Sequence, residues 1–261
     1  MRKRTTPILI LTAILFLTGA LVFSYPFLNG LLVDWKIRSN AQEFLSWVET
    51  GSRIPDPSES HVILDTASDD WVPDIYPELW QDMKAYNQKI FQTNQEDLNG
   101  KSAYEEPCFT LADYGVPEEI FAVLTIPALE IEMPVYLGAT SRHRADGAAV
   151  MSQTSIPIGG KNTNCVIAGH RGWNGAHYFL YINKLKVGDQ ITLTNLWETL
   201  TYEVSETRVI MPNEVEQIHI RPGRELVTLL SCHPPGTGGR QRYLVICERI
   251  ENESADLSQE N

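Results

Sequence analysis

The chain is short of positive charge. It carries 21 Lys and Arg against 33 Asp and Glu, a formal net charge of −12 over 261 residues. A nucleic-acid binder needs a basic footprint, so that class is excluded. Cysteine is scarce too, with four in all. Cys165 and Cys247 fall inside apolar, strand-like runs, and only Cys108 and Cys232 flank loops. That placement argues against a disulfide framework, which a domain of this size does not need. No Cys and His pair at zinc-ligand spacing, and Asp146 and Glu214 stand apart from other acids. The expectation is therefore no metal and no cofactor. Internal repeats and low-complexity tracts are absent, as is a second long apolar run.

One long apolar run is present. Arg2-Lys3-Arg4 precedes an almost uncharged stretch over 7–33. Signal-peptide cores span only about 7–15 residues and end in small residues. This run is longer, and Ser24-Tyr25-Pro26-Phe27 is a poor cleavage site. A retained transmembrane helix is expected, since about 20 apolar residues cross a bilayer. The basic cluster predicts a cytoplasmic N-terminus over 1–6 and an extracellular remainder. An acidic domain suits a position standing off an anionic membrane.

Helical spacing continues over 34–95, through Trp35, Ile37, Phe44, Leu45 and Val48 and later Trp71, Ile75, Leu79, Met83, Tyr86 and Ile90. This reads as a helical stalk interrupted at Pro55 and Pro57. Residues 96–118 lack regular periodicity and carry Gly100, Pro107, Gly115 and Pro117. A long structureless stretch in a compact domain is usually functional or disordered, so a lid or a linker is expected. From 119 to 250 nearly every segment alternates like a strand, with turn signals at Gly159-Gly160, Gly188-Asp189 and Pro222-Gly223. Strands are expected over 121–127, 132–137, 164–168, 190–194, 199–205, 207–211, 226–230 and 242–248, with a short helix over 178–185. The fold class is mainly β, a closed β-barrel or sandwich with short helices, preceded by the transmembrane helix and its stalk. Residues 251–261 form a polar, acidic tail expected to be disordered.

The chemistry concentrates at strand ends. Val227-Thr228-Leu229-Leu230-Ser231-Cys232 ends at the loop His233-Pro234-Pro235-Gly236-Thr237-Gly238-Gly239. A thiol at the lip of a strand is placed like a nucleophile. Val166-Ile167-Ala168-Gly169-His170-Arg171-Gly172 repeats the design with a histidine. Arg240 and Arg242 share strand parity, so either can supply a fixed cation to the same face. A Cys, a His and an Arg at strand margins point to acyl transfer through a thioester.

These segments resemble the sortases, the cysteine transpeptidases of the Gram-positive cell surface. The family's Thr-Leu-x-Thr-Cys nucleophile motif corresponds to Thr228-Leu229-Leu230-Ser231-Cys232, its histidine motif to Ala168-Gly169-His170-Arg171-Gly172, and its arginine strand to Gln241-Arg242-Tyr243-Leu244-Val245. The His-Arg-Gly triplet and the block Thr154-Ser155-Ile156-Pro157-Ile158-Gly159-Gly160 are most similar to class C, the pilin-polymerising type. The resemblance covers about 119–249 and implies a sortase-type barrel. It implies that Cys232 attacks a Leu-Pro-x-Thr-Gly-like sorting signal and that His170 shuttles the proton. It prefers Arg242 over Arg240 for binding substrate and the oxyanion. Ser231 stands where the family usually has Thr, keeping the hydroxyl and losing a methyl. The implied partners are surface proteins or pilins with a sorting signal, and an amine acceptor on a pilin or on peptidoglycan.

Two departures bear on subtype. Class C lids usually present an Asp-Pro-aromatic anchor; here Glu106-Pro107-Cys108-Phe109 is a partial substitute, with Cys108 or Phe109 as plug. A Cys108–Cys232 disulfide would lock the enzyme. Many class C members also carry a second, C-terminal span, where this chain has an acidic tail. Other classes of function are a cysteine hydrolase on the same scaffold and a non-catalytic surface module. His61, His143 and His219 read as surface or structural groups, as do His177 and His233 despite their nearness to the site in sequence. Arg171 follows His170 immediately and is expected to point elsewhere if the strand geometry persists.

Overall fold

In a computed structural model, residues 5–51, 72–99 and 106–250 are described. The expected break at Pro55 and Pro57 and the acidic tail lie outside them.

Helix α1 runs unbroken from Thr5 to Gly51, through Pro26. Its outer half is apolar and unburied, with mean hydropathy 2.0 in its most apolar window. A second pattern begins at Gly30. Gly30, Ile37, Ala41, Phe44 and Val48 are buried, with Val33, Asp34 and Asn40 partly so. That alternating three- and four-residue spacing makes one stripe on one helical face. It packs mainly on strand β2 (Ile131–Leu137) and also on β1 (Ile120–Ile126). The last turns of the apolar run therefore already lie against the domain.

Helix α2 spans Pro77–Gln92 and starts with proline in its first turn, where the missing N–H costs nothing. It buries Leu79, Trp80, Met83, Asn87 and Ile90. Trp80 meets Trp197 edge-on at 5.0 Å. Asn87 caps the strand-like segment at Ile156, donating to its carbonyl at 3.0 Å and accepting from its N–H at 2.8 Å.

The remaining strands are β3 (Ala148–Val150), β4 (Thr163–Ala168), β5 (Gln190–Asn195), β6 (Thr199–Ile210), β7 (Glu225–His233) and β8 (Gln241–Arg249). They close into a barrel in the order β1-β2-β3-β4-β7-β8-β6-β5. Closure removes exposed sheet edges. Pairs β2–β3 and β4–β7 are parallel and the others antiparallel. Phe121, Leu124, Ile167, Leu229, Val245 and their neighbours form a continuous core that also takes in the buried stripe of α1.

Several expectations are corrected. The two strands expected over 199–211 are one, β6, with a register shift between Val204 and Glu206. A bulge inverts the in–out alternation, which from sequence looks like a break. The helix expected over 178–185 is a single 3-10 turn, Ile182–Lys184. The short helix α3 (Ser141–Asp146) and β3 had no sequence signal strong enough to register. Within 96–118, the described parts hold two 3-10 turns, Glu96–Asn99 and Leu111–Tyr114.

The Thr154–Gly160 block packs as a buried polar network. Thr154 Oγ1 donates to Met151 O at 2.6 Å and accepts from Val166 N at 3.2 Å. Ser155 Oγ accepts from Asn164 N at 3.0 Å, and Asn164 Oδ1 accepts from Thr228 Oγ1 at 2.9 Å. Buried polar groups need such partners, so this block fixes the parallel β4–β7 pair on which the site is built.

Candidate active site

Three strand ends converge at one end of the barrel. Parallel pairing sets β4 beside β7 with Ala168 opposite Leu230. The ladder reaches one residue further, where Gly169 N donates to Leu230 O at 3.1 Å. Ser231 Oγ donates to Gly169 O at 2.8 Å. His170 and Cys232 follow immediately, on neighbouring chains. Gly169 has no room for a side chain, because a Cβ there would lie 2.5 Å from the Phe179 ring.

Antiparallel pairing of β7 with β8 sets Cys232 directly opposite Arg242. Opposed residues in a ladder share a face. Their side chains meet around Gly239, where a Cβ would stand 2.9 Å from Arg242 Nη1 and 3.0 Å from Cys232 Sγ. Arg242 Nη1 donates to Gly239 O at 2.6 Å and Gln241 O at 3.0 Å. Its Nε and Nη2 make no hydrogen bond among the described residues, which leaves donors for a ligand. Arg240 precedes β8 and is exposed, so the register favours Arg242.

His170 is half-buried. Its ring stacks on Trp173 at 5.0 Å and 17°, and meets Tyr178 edge-on at 5.6 Å. Burial, and then the charge of Arg144, holds its pKa below 6.5. A neutral imidazole is the form that can take a proton.

Arg171 lies beyond the strand on which its expected direction depended. Strand geometry ends at Ala168, and Arg171 turns inward until it is only 6% exposed. Nε donates to Leu180 O at 2.8 Å and Nη2 to Asn183 Oδ1 at 2.5 Å. Its guanidinium lies 5.3 Å from the Tyr243 ring centre, and Nη1 is buried without a partner. Desolvation lowers its pKa, opposed by the charges of Tyr243 and Cys232. A second, buried cation thus packs against Tyr243, next to Arg242 in β8, and its only sequence signal was adjacency to His170. His233 packs against Tyr243 at 5.6 Å, and His177 bonds to Asp34 on α1.

The partial lid lies elsewhere. Phe109 rests edge-on against Tyr86 of α2 at 5.6 Å and near Tyr114 at 6.3 Å. Pro107 sits against Gly138, and Ser152 donates to Glu106 O. Tyr86 accepts from Gln153 N at 2.9 Å, near the start of β4. Cys108 lies beside Tyr86, and burial raises its pKa to about 11. These contacts seat Cys108 and Phe109 against Tyr86 of α2 rather than against Cys232. All four cysteines are free.

Residues 124–250 match the family described as Sortase domain. Sortase C-1 from Actinomyces oris superposes with a TM-score of 0.53 at 31% identity, covering 64% of this chain and 99% of that one. The chain belongs to the sortase family. Sortase C1 of GBS Pilus Island 1 aligns over 82% of this sortase and 98% of its own chain, with a TM-score of 0.63 and 25% identity. Among curated relatives, Sortase A of Streptococcus agalactiae serotype III is 31% identical over 116 residues, 43% of this sortase. The match spans 46% of that relative's length, and 63% of Sortase A from Listeria monocytogenes.

Proposed function

We propose that this sortase is a membrane-anchored cysteine transpeptidase acting on a Leu-Pro-x-Thr-Gly-like sorting signal. The observation that carries the reading is the placement of Cys232 opposite Arg242, beside a strand end bearing His170. His170 takes the thiol proton of Cys232 as Sγ attacks the Thr carbonyl carbon, and gives it to the departing amine as the C–N bond to Gly breaks. The product is a thioester. An incoming amine then attacks the same carbon and gives its proton to His170, which passes it to Cys232 Sγ as the thioester breaks, restoring the enzyme. Arg242 supplies fixed donors to the oxyanion in both steps.

Anchoring rests on the apolar half of α1. Arg2-Lys3-Arg4 ahead of it supports a cytoplasmic N-terminus and an extracellular barrel. The GBS Pilus Island 1 likeness and the His-Arg-Gly triplet favour a pilin-type substrate, with a pilin lysine as acceptor and a peptidoglycan amine as the other candidate.

Mass spectrometry of reactions with a sorting-signal peptide library and mixed amines tests this. A product cleaved after Thr, joined to an amine and lost in Cys232→Ala, is expected. Release of the free acid alone in the presence of amine would make the protein a hydrolase, and no Cys232-dependent product would overturn the reading.

A further inference from the structure

Catalytic histidines are usually oriented by a third polar group. Among the described residues His170's ring nitrogens have no hydrogen-bond partner; its ring is held by Trp173 and Tyr178 instead. Trp173 sits on a small hairpin outside the barrel. Trp173 and Ala176 exchange backbone hydrogen bonds at 3.1 and 2.9 Å. Asn174 and Gly175 between them both have positive φ, 50° and 85°, as a type I′ turn requires. An isolated pair of this size does not fix its own position.

Helix α1 fixes it. At the tip, Asn29 Nδ2 donates to Asn174 O at 3.0 Å. Gly30 and Gly175 bring the two backbones together: a Cβ on Gly30 would lie 2.2 Å from Gly175 O, and one on Gly175 would lie 2.2 Å from Pro26 O. One helical turn on, Asp34 accepts from both His177 N at 3.1 Å and His177 Nδ1 at 2.7 Å. Tyr178, next in sequence, donates to Ala145 O at 2.7 Å, and Phe179 N closes back on His170 O at 2.9 Å. The two rings that flank His170 therefore lie either side of the residue that Asp34 grips.

We propose that Asp34 and His177 are positioning residues, through which the membrane-anchoring helix sets the orientation of His170. The proposal rests on His170 being the proton-transfer group. It also explains Gly30, a residue that weakens a helix unless a close approach requires it.

The test uses the full chain in detergent micelles, with two acyl donors of the same sequence. One is the sorting-signal peptide, whose amine leaving group needs a proton. The other is a 4-nitrophenyl ester, whose leaving group does not. Asp34→Ala, His177→Ala and Gly30→Ala are expected to lower kcat on the peptide by about 10- to 100-fold, the scale of a misplaced catalytic group. Release of 4-nitrophenolate in the first turnover, read before deacylation, should fall clearly less than the peptide rate, because it does not draw on His170 as acid. Asp34→Asn keeps an acceptor and should recover most of the peptide rate. The Asp34→Ala/His177→Ala double variant should be no worse than either single, as for two members of one contact. Equal losses on both donors would mean general loosening and overturn the proposal, as would no loss on either. NMR provides an arm that does not depend on turnover: Asp34→Ala should shift the His170 ring and Trp173 indole signals. Unmoved signals would also overturn the proposal. A wild type silent on both donors would instead refute the transpeptidase reading, with the NMR arm still deciding this one.

Discussion

The hydroxyl of Ser231 donates to the carbonyl oxygen of Gly169 at 2.8 Å, joining the residue before the nucleophile to the residue before the histidine. Ser231 is 1% exposed, so the bond is sheltered from water. Only the hydroxyl is needed for it, which is why Ser serves where the family usually has Thr.

Ser231→Thr should therefore be nearly silent. Ser231→Ala leaves a buried carbonyl short of a partner and should cost about 1 kcal/mol of stability. Chemical denaturation and peptide turnover, measured on both variants, check the pair; an inert Ser231→Ala would make the hydroxyl incidental.

Gly239 keeps open the space between the thiol and the guanidinium. Gly239→Ala would push a methyl to within 3.0 Å of Cys232 Sγ, at a φ of 77° that strains any side chain. It should slow both alkylation of Cys232 and peptide turnover. Arg242→Ala should cost about 10²–10³-fold in kcat, as loss of an oxyanion donor does. Arg242→Lys should rescue little of it, because an ammonium cannot replace a planar fork of donors.

Thiol labelling should separate the cysteines. Burial raises the pKa of Cys165 and Cys247 well above the ordinary value and that of Cys108 to about 11. Since the thiolate is the reactive form, iodoacetamide on the native protein should modify Cys232 alone. Peptide mapping reads this directly, and early labelling of Cys108 would contradict its packing against Tyr86.

His170 should titrate below 6.5, and Arg144→Gln should move its midpoint upward, because a neighbouring positive charge is removed. Burial, the larger cause, remains, so the midpoint should stay under the ordinary value. The sign for stability follows: below 6.5 the unfolded chain takes a proton that the folded one resists, so His170 disfavours folding increasingly as pH falls towards its folded pKa. Ring-carbon NMR across pH 4–8 checks the direction in both proteins.

The barrel was legible because strand periodicity and turn residues are local signals, and the pairing of Cys232 with Arg242 follows from one ending and the other beginning a strand. Register adds an independent reason to prefer Arg242: it pairs with Cys232, whereas Arg240 lies before β8. Arg171 escaped because its inward turn depends on the chain leaving strand geometry after Ala168. Phe109 was misplaced because a 3-10 turn and an aromatic contact with Tyr86 are tertiary outcomes with no period to read. The contact of His177 with Asp34 had no local signal, because the two are far apart in sequence.

Helix α1 has no break between its apolar half and the stripe that packs on the barrel. At a 1.5 Å rise per residue its 47 residues are about 70 Å long. With the apolar half in a bilayer, the catalytic end of the barrel rides at a set height, close to the lipid headgroups, rather than on a tether. On the transpeptidase reading proposed above, membrane-held substrates would meet it by lateral diffusion in a plane, and those whose cleavage point lies at that height would be favoured. Lengthening α1 by one turn between the apolar half and Gly30 would raise the site by about 5 Å, so the helix acts as a ruler.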